Sequence, residues 1–250
     1  MNAFKKSNNP LLALQCFGQA LVLIKHPDLR KFLLIPLLIN IVLFSAAFTI
    51  GYYSFSSLLH SFIPDWLAWL DWLLWPLFFI SFLVFGFFSF TLLANLIAAP
   101  YYNRLSAKTW QIISGASVAT PDLPWHQVFF GELQRLRYLL LRVLPLLVLF
   151  VIPVLNLVSP LLWTIFAAWG IAMEYIAYPL ENRGQLFAAQ QQFLKQERWG
   201  MLSLGGLTSL GLGLPVINLM AAPLAVIAAT VYVQRLSLLD QPETGSNKIV

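Results

Sequence analysis

Charge avoids four long stretches of this chain. Positions 32–59, 72–103, 143–173 and 199–234 contain no Asp, Glu, Lys or Arg. Each exceeds the roughly 20 residues with which a helix crosses a bilayer. Two of them carry the same interruption, Pro-Val-Leu-Asn at 153–156 and Pro-Val-Ile-Asn at 215–218. In lipid, backbone groups released by a break must be covered by protein or by a water-lined cavity. A break repeated in two segments therefore points to a transport pathway. The pattern predicts an all-α integral membrane protein with two long transmembrane helices, over 30–60 and 72–114. The other two apolar segments, 143–173 and 199–235, are each split into arms of 10–14 residues: 143–152 and 161–173, then 201–214 and 224–234. Such arms rise only about 15–21 Å, short of a hydrocarbon core of roughly 30 Å. Two re-entrant (hemi-penetrating) helical hairpins fit these lengths; two kinked full crossings are the alternative. Hairpins put 181–198 on the same side as 104–142, whereas one kinked crossing puts it opposite.

The connecting segments read as amphipathic helices within a single membrane domain, 1–250. Positions 10–25 form an interfacial helix. Lys5 and Lys6 ahead of an apolar 11–24 imitate a signal peptide, but Gln15 and Gln19 interrupt the run, and Lys25-His26-Pro27-Asp28 follows where small residues would be needed. Over 125–144, Glu132, Arg135 and Arg142 fall near one face, while Phe129, Phe130, Leu133, Leu136, Leu140 and Leu141 take the remainder. Pro-Asp-Leu-Pro at 121–124 makes a turn, and 242–250 is a flexible polar tail. Trp66, Trp69, Trp72 and Trp75 read as an interfacial belt or as packing between helices.

Composition agrees with a bilayer as the main solvent. Only 10% of residues are charged, against about 25% in soluble domains, and the mean hydropathy is +0.76. The net charge of +5 does not indicate nucleic acid, because the basic residues flank apolar segments and no solvated basic domain exists. They suit anionic headgroups of membrane lipids. Basic residues in 1–31 and 104–142, with Asp65 and Asp71 alone in 61–71, put the first two regions in the cytoplasm. Cys16 is the single cysteine, so no internal disulfide forms. There is no phosphate-binding P-loop and no His-Glu-x-x-His; His26, His60 and His126 are scattered. No nucleophile elbow is visible, so neither an enzyme nor a metal or organic cofactor is expected.

Four sets of polar residues remain. In His26-Pro27-Asp28-Leu29-Arg30-Lys31, a helix start lies beside two cations, which is the chemistry of an anion site. Asp28 suits an N-cap, and Arg30 and Lys31 equally suit snorkelling to lipid phosphates. Glu132, Arg135, Arg137 and Arg142 form a charged set next to an apolar segment, where a charge should face a partner or a wet cavity. Its bland version is an i, i+3 surface pair of Glu132 with Arg135, worth little. Glu174 follows a charge-free run; it is either a counter-ion for one of those arginines or a headgroup-level residue. Asn40, Asn95, Asn156 and Asn218 sit near Pro36, Pro100, Pro153 and Pro215. Their amides either bond the carbonyls freed by those prolines or line a polar route.

Pro27-x-x-Arg30-Lys31-Phe32, Ile35-Pro36-Leu37-Leu38-Ile39-Asn40, Asn95-Leu96-Ile97-Ala98-Ala99-Pro100-Tyr101-Tyr102-Asn103 and Tyr175-x-x-Tyr178-Pro179-x-Glu181-Asn182 together resemble the CysZ family of bacterial sulfate permeases. Pro64-Asp65-Trp66-Leu67-x-Trp69-Leu70, Leu207-Thr208-Ser209-Leu210 and the two Pro-Asn breaks extend the resemblance over about 11–235. It implies an inner-membrane, multi-pass, oligomeric protein that admits sulfate for cysteine biosynthesis, with a sulfate site at Leu29, Arg30 and Lys31. The family usually has a glycine near Asp28 and a second arginine at Lys31, and often an acid at Ala177. Here lysine lacks the bidentate fork, and Glu174 stands one helical turn before Ala177, as though the charge had moved along one face.

Overall fold

Helices begin and end where the local chemistry asks for it. The computed structural model describes residues 8–62, 69–116, 124–152 and 155–239, and among these the backbone forms helices and turns without a strand. Helix α1 spans Pro10–Leu23. Asn9 caps it, its Oδ1 accepting the Leu11 N–H at 2.9 Å, and Pro10 fills the first helical position, where no N–H is needed. Helix α2 is Pro27–Phe62 and α3 is Asp71–Ser114; α3 stops at Gly115, whose φ of 71° ends the right-handed path. Helix α4 is Trp125–Val151, followed by a 3₁₀ turn at Leu155–Leu157, and α5 is Ser159–Glu181. Helices α6 (Phe187–Gln196), α7 (Arg198–Gly213) and α8 (Pro215–Leu239) complete the chain. With 36 and 44 residues, α2 and α3 rise about 54 and 66 Å, more than a bilayer core requires.

The chain divides into two compact units, residues 31–101 and residues 1–30 with 102–250. In the first, aromatic rings join α2 to α3. Phe55 stacks on Phe78 at 4.5 Å, Trp75 lies 5.0 Å from Tyr52, and Phe48 meets Phe82 edge-on at 5.2 Å. Trp75 thus packs between helices, while Trp69 and Trp72 stay largely exposed, as a belt residue would be. Trp66 lies outside the described residues.

In the second unit, α1 is packed inside out relative to a helix of a soluble domain. Helix α1 buries its small residues Ala13, Cys16 and Ala20 completely and turns Leu11, Leu14, Leu21 and Val22 outward. Water would reverse that choice; lipid allows it, since small residues let backbones approach and tails solvate leucine. Helix α8 is the centre, with Ala225, Val226, Ile227, Ala228, Ala229 and Tyr232 at 0% exposure. Its buried hydroxyls are satisfied: Thr230 Oγ1 lies 2.9 Å from Ser106 Oγ, and Tyr232 donates to Glu197 Oε2 at 3.0 Å. Helix α7 crosses α5 so closely that a Cβ on Gly205 would strike the Ala168 carbonyl, and one on Gly200 would strike the Tyr232 hydroxyl. By length and composition, Ser159–Glu181 and Met220–Leu238 can each cross a membrane.

The arms of the broken segments differ from the lengths read in the sequence. The return arms are α5, of 23 residues, and α8, of 25 residues, not arms of 10–14. The second break is confined to Leu214. Pro215 starts α8, a position where its missing N–H costs nothing, so Asn218 and Pro223 lie within the helix rather than in a turn. The first break is wider: Asn156 sits exposed in the 3₁₀ turn, its N–H bonded to Ile152 O at 3.0 Å, while 153–154 lie outside the described residues. Asn40 and Asn95 lie inside α2 and α3; the side chains of Asn40, Asn95 and Asn218 lie outside the described set, as do the 121–123 turn and the 242–250 tail.

Candidate functional site

Arg135 occupies the middle of α4, on the face that meets the C-terminal end of α5. Its Nη1 donates to Glu132 one turn earlier, at 2.8 Å from Oε1. Its Nη2 donates to Glu181 Oε1 at 3.2 Å and to Gln190 Oε1 at 2.8 Å. Gln190 Nε2 in turn donates to Glu181 Oε1 at 3.3 Å and to the Gln185 carbonyl at 3.0 Å. The side chains of Arg135 and Glu181 are 15% and 19% exposed, against 51% for Glu132. What reads in sequence as a surface pair is therefore one edge of a four-residue latch joining α4, α5 and α6. A part-buried charge set of this kind depends on keeping every partner. Arg135 Nε is buried and, among the described residues, unbonded. It faces two carboxylates, so this cation is already neutralised.

The sequence-predicted charges do not gather around Arg135. Glu174 lies within electrostatic reach of the guanidinium, but the α5 carboxylate that pairs with it directly is Glu181, two turns further along the same helix. Arg142 lies over the Tyr138 ring at 3.5 Å, and Trp169 Nε1 donates to the Tyr138 hydroxyl at 3.1 Å. These groups edge an apolar groove of about 330 Å³ with Leu146, Leu162 and Phe166. Arg137 is exposed on α4.

The start of α2 is closed by its own backbone. His26 caps the helix, its Nδ1 accepting the Asp28 N–H at 3.3 Å, and its carbonyl accepts both the Leu29 and Arg30 N–H groups, at 3.0 and 3.1 Å. Asp28 lies in the first turn and pairs with Lys108 at 3.7 Å, so it is not the N-cap. Leu29 is buried at 1% exposure, and its N–H is already taken by the His26 carbonyl. Arg30 and Lys31 are exposed and consecutive. Charge at this helix start thus resides in two side chains rather than in a ring of free amides.

Comparison with known proteins settles the lineage. A family described as Sulfate transporter CysZ/Etoposide-induced protein 2.4 matches residues 16–223. The "Sulfate transporter CysZ" of Pseudomonas syringae pv. tomato is 39% identical over 87% of this chain and 90% of its own. That of Pseudomonas fluorescens (strain SBW25) is 42% identical over 87% and 89%, and that of Salmonella paratyphi A 37% over 86% and 88%. The chain belongs to the CysZ family. Within that family's pattern, Tyr175-x-x-Tyr178-Pro179-x-Glu181-Asn182 now has a physical role. Its Glu181 is the latch carboxylate, and its Asn182 Nδ2 donates to the Asn103 carbonyl at 2.9 Å. Tyr178 packs edge-on against Tyr102 at 5.6 Å. Glu181, Gln190 and Asn182 carry no site role in the sequence reading. Glu181 and Asn182 stood inside a quoted motif; Gln190, the first of three consecutive glutamines at 190–192, left no signal of its own.

Proposed function

We propose that this chain admits sulfate to the cytoplasm across a bacterial inner membrane, supplying sulfur for cysteine biosynthesis. Membership of a family whose relatives are named sulfate transporters carries the reading. The inside-out packing of α1 and two helices able to cross a membrane support it, and the naming of relatives disfavours a non-transporting scaffold.

The proposed oxyanion contact is Arg30 and Lys31 at the mouth of the path, followed by Arg137 and Arg142; the sequence expectation of a Leu29 contact is not kept, because its N–H is bonded to His26 O. Arg135 and Glu132 set the frame, and Asn40, Asn95, Asn156 and Asn218 mark polar stations along the apolar helices. Sulfate is fully deprotonated at pH 7, whereas phosphate retains a proton. A site made of donors alone accepts the first and leaves the second with a mispaired O–H, a loss of about 1–3 kcal/mol. Conduction needs several weak sites rather than one tight cage, and two exposed side chains fit that demand better than a closed ring of amides. Without a nucleotide-binding loop, flow follows the sulfate gradient or is coupled to protons through a carboxylate. Glu174 is the proposed carboxylate, in place of an acid at Ala177; uptake by Glu174→Gln equal to the parent would remove that role.

The re-entrant hairpin is the proposed architecture, in a single membrane domain that assembles as a homo-oligomer among lipids. Its support is the Arg135–Glu181 contact of 3.2 Å. In one kinked crossing these residues would stand on opposite faces, about 30 Å apart; in a hairpin they meet at its open end. Sulfate-dependent thermal stabilisation in detergent tests the oxyanion contact. Stabilisation by sulfate, absent in Arg30→Ala/Lys31→Ala, is expected; an equal shift in the double variant rejects the site.

A further inference from the structure

The ends of the two span-length helices enclose a recess that the transport reading does not use. Helix α5 ends at Glu181, and Gly184, at φ 75°, then turns the chain back, with Gln185 N–H on Leu180 O at 2.9 Å. This turn delivers Arg183 and Gln185 to a cavity of about 400 Å³, whose other walls include Trp110 of α3 and Val233 and Ser237 near the end of α8. Both Ser159–Glu181 and Met220–Leu238 stop here. The open end of a re-entrant hairpin, like the end of a crossing helix, stands at the headgroups, which puts the recess at that depth. Its chemistry fits that depth. The Arg183 guanidinium rests over the Trp110 ring at 5.2 Å and, among the described residues, has no carboxylate partner. Tryptophan beside a cation is the usual furniture of a membrane interface. Trp110 and Phe193, both part-exposed, supply apolar walls, and Gln185 and Ser237 supply further polar groups.

We propose that this recess is a binding site for one anionic phospholipid, its phosphodiester on Arg183 and the start of its acyl chains on Phe193 and the Trp110 edge. Arginine matches a phosphate with paired, charge-assisted hydrogen bonds. The apolar walls distinguish this ligand from a free oxyanion, which gains nothing from phenylalanine and tryptophan. The recess adjoins the Arg135 latch through Gln185, whose carbonyl accepts from Gln190, but neither latch carboxylate nor Arg135 lines it; it ties the cytoplasmic ends of α5 and α8 to the leaflet rather than conducting sulfate.

The test uses the purified full chain in an uncharged detergent, with native mass spectrometry and thermal unfolding as readouts and phosphatidylglycerol, phosphatidylcholine and inorganic phosphate as probes. The parent protein should retain one phosphatidylglycerol and gain thermal stability from it, with phosphatidylcholine and inorganic phosphate inert. Arg183→Gln should bind it about ten-fold more weakly. Ser237→Leu should do the same by filling the recess, at the cost of only the hydroxyl's bond to its own helix at Gln234 O, 2.7 Å. Equal retention of phosphatidylglycerol by the parent and Ser237→Leu overturns the proposal, even if Arg183→Gln misfolds. Stabilisation by inorganic phosphate equal to that by phosphatidylglycerol identifies a free-oxyanion site instead and overturns it too.

Discussion

Gly205 has no room for a side chain. Gly205→Ala drives a methyl into the Ala168 carbonyl at the crossing of α5 and α7, and overpacking of this kind costs about 1–3 kcal/mol. Gly206→Ala, next along the same helix, meets nothing within 4 Å and should be neutral or slightly stabilising, since alanine favours the helix. Thermal unfolding of both variants in one detergent checks the contrast. Arg135→Ala leaves Glu181 part-buried and unpaired, and should cost about 2–3 kcal/mol, between surface and fully buried pairs. Glu181→Gln and Arg135→Ala should be non-additive, with coupling of about 0.5–3 kcal/mol in a double-mutant cycle. Cys16 adds a pH dependence. Burial raises its thiol from 9.0 to about 11, against a smaller lowering by Arg235. Because the folded state holds that proton more tightly, its contribution to stability is complete below pH 9 and is lost as the pH rises through about 11. At pH 7.5 the folded thiolate should be ~100-fold scarcer than in an unfolded chain. Maleimide labelling should therefore be slow in the native protein and fast after denaturation; rapid native labelling would contradict the burial.

At the scale of elements, the long helices were legible because a helix continues while no stop signal intervenes. The 72–114 reading coincides with the C-terminal end of α3, where Gly115 supplies the stop. The lengths of the return arms were not legible. Proline was read as a breaker at 215–223, whereas Pro215 begins α8 and Pro223 is tolerated inside it; the same residue type starts, interrupts or merely bends a helix according to which neighbours cover the freed carbonyl. The Arg135–Glu132 pair was legible because three residues separate its members, but Glu181 and Gln190 come from 46 and 55 residues away, and only tertiary packing unites them. Depth of insertion is tested at the tip of α4 and α5. Leu157 is 85% exposed. In a re-entrant hairpin, Leu157→Cys should resist membrane-impermeant reagents from both faces, while Gln192→Cys reacts from the cytoplasm. Labelling of Leu157→Cys from the opposite face would make α4 and α5 two full crossings.

At the scale of the whole molecule, the charges differ in what surrounds them. Arg135 is neutralised by two carboxylates, and Arg142 is held on an aromatic ring beside an apolar groove. Arg30 and Lys31 are exposed at the start of a helix about 54 Å long, and they are the proposed first contact for a dianion. Reconstitution of the purified chain into proteoliposomes, with radiolabelled sulfate outside, measures whether that arrangement conducts. Uptake should exceed that of protein-free vesicles, fall with excess unlabelled sulfate but not with chloride, and drop about ten-fold in Arg30→Ala/Lys31→Ala. Uptake by the parent protein no faster than by empty vesicles would contradict sulfate transport outright.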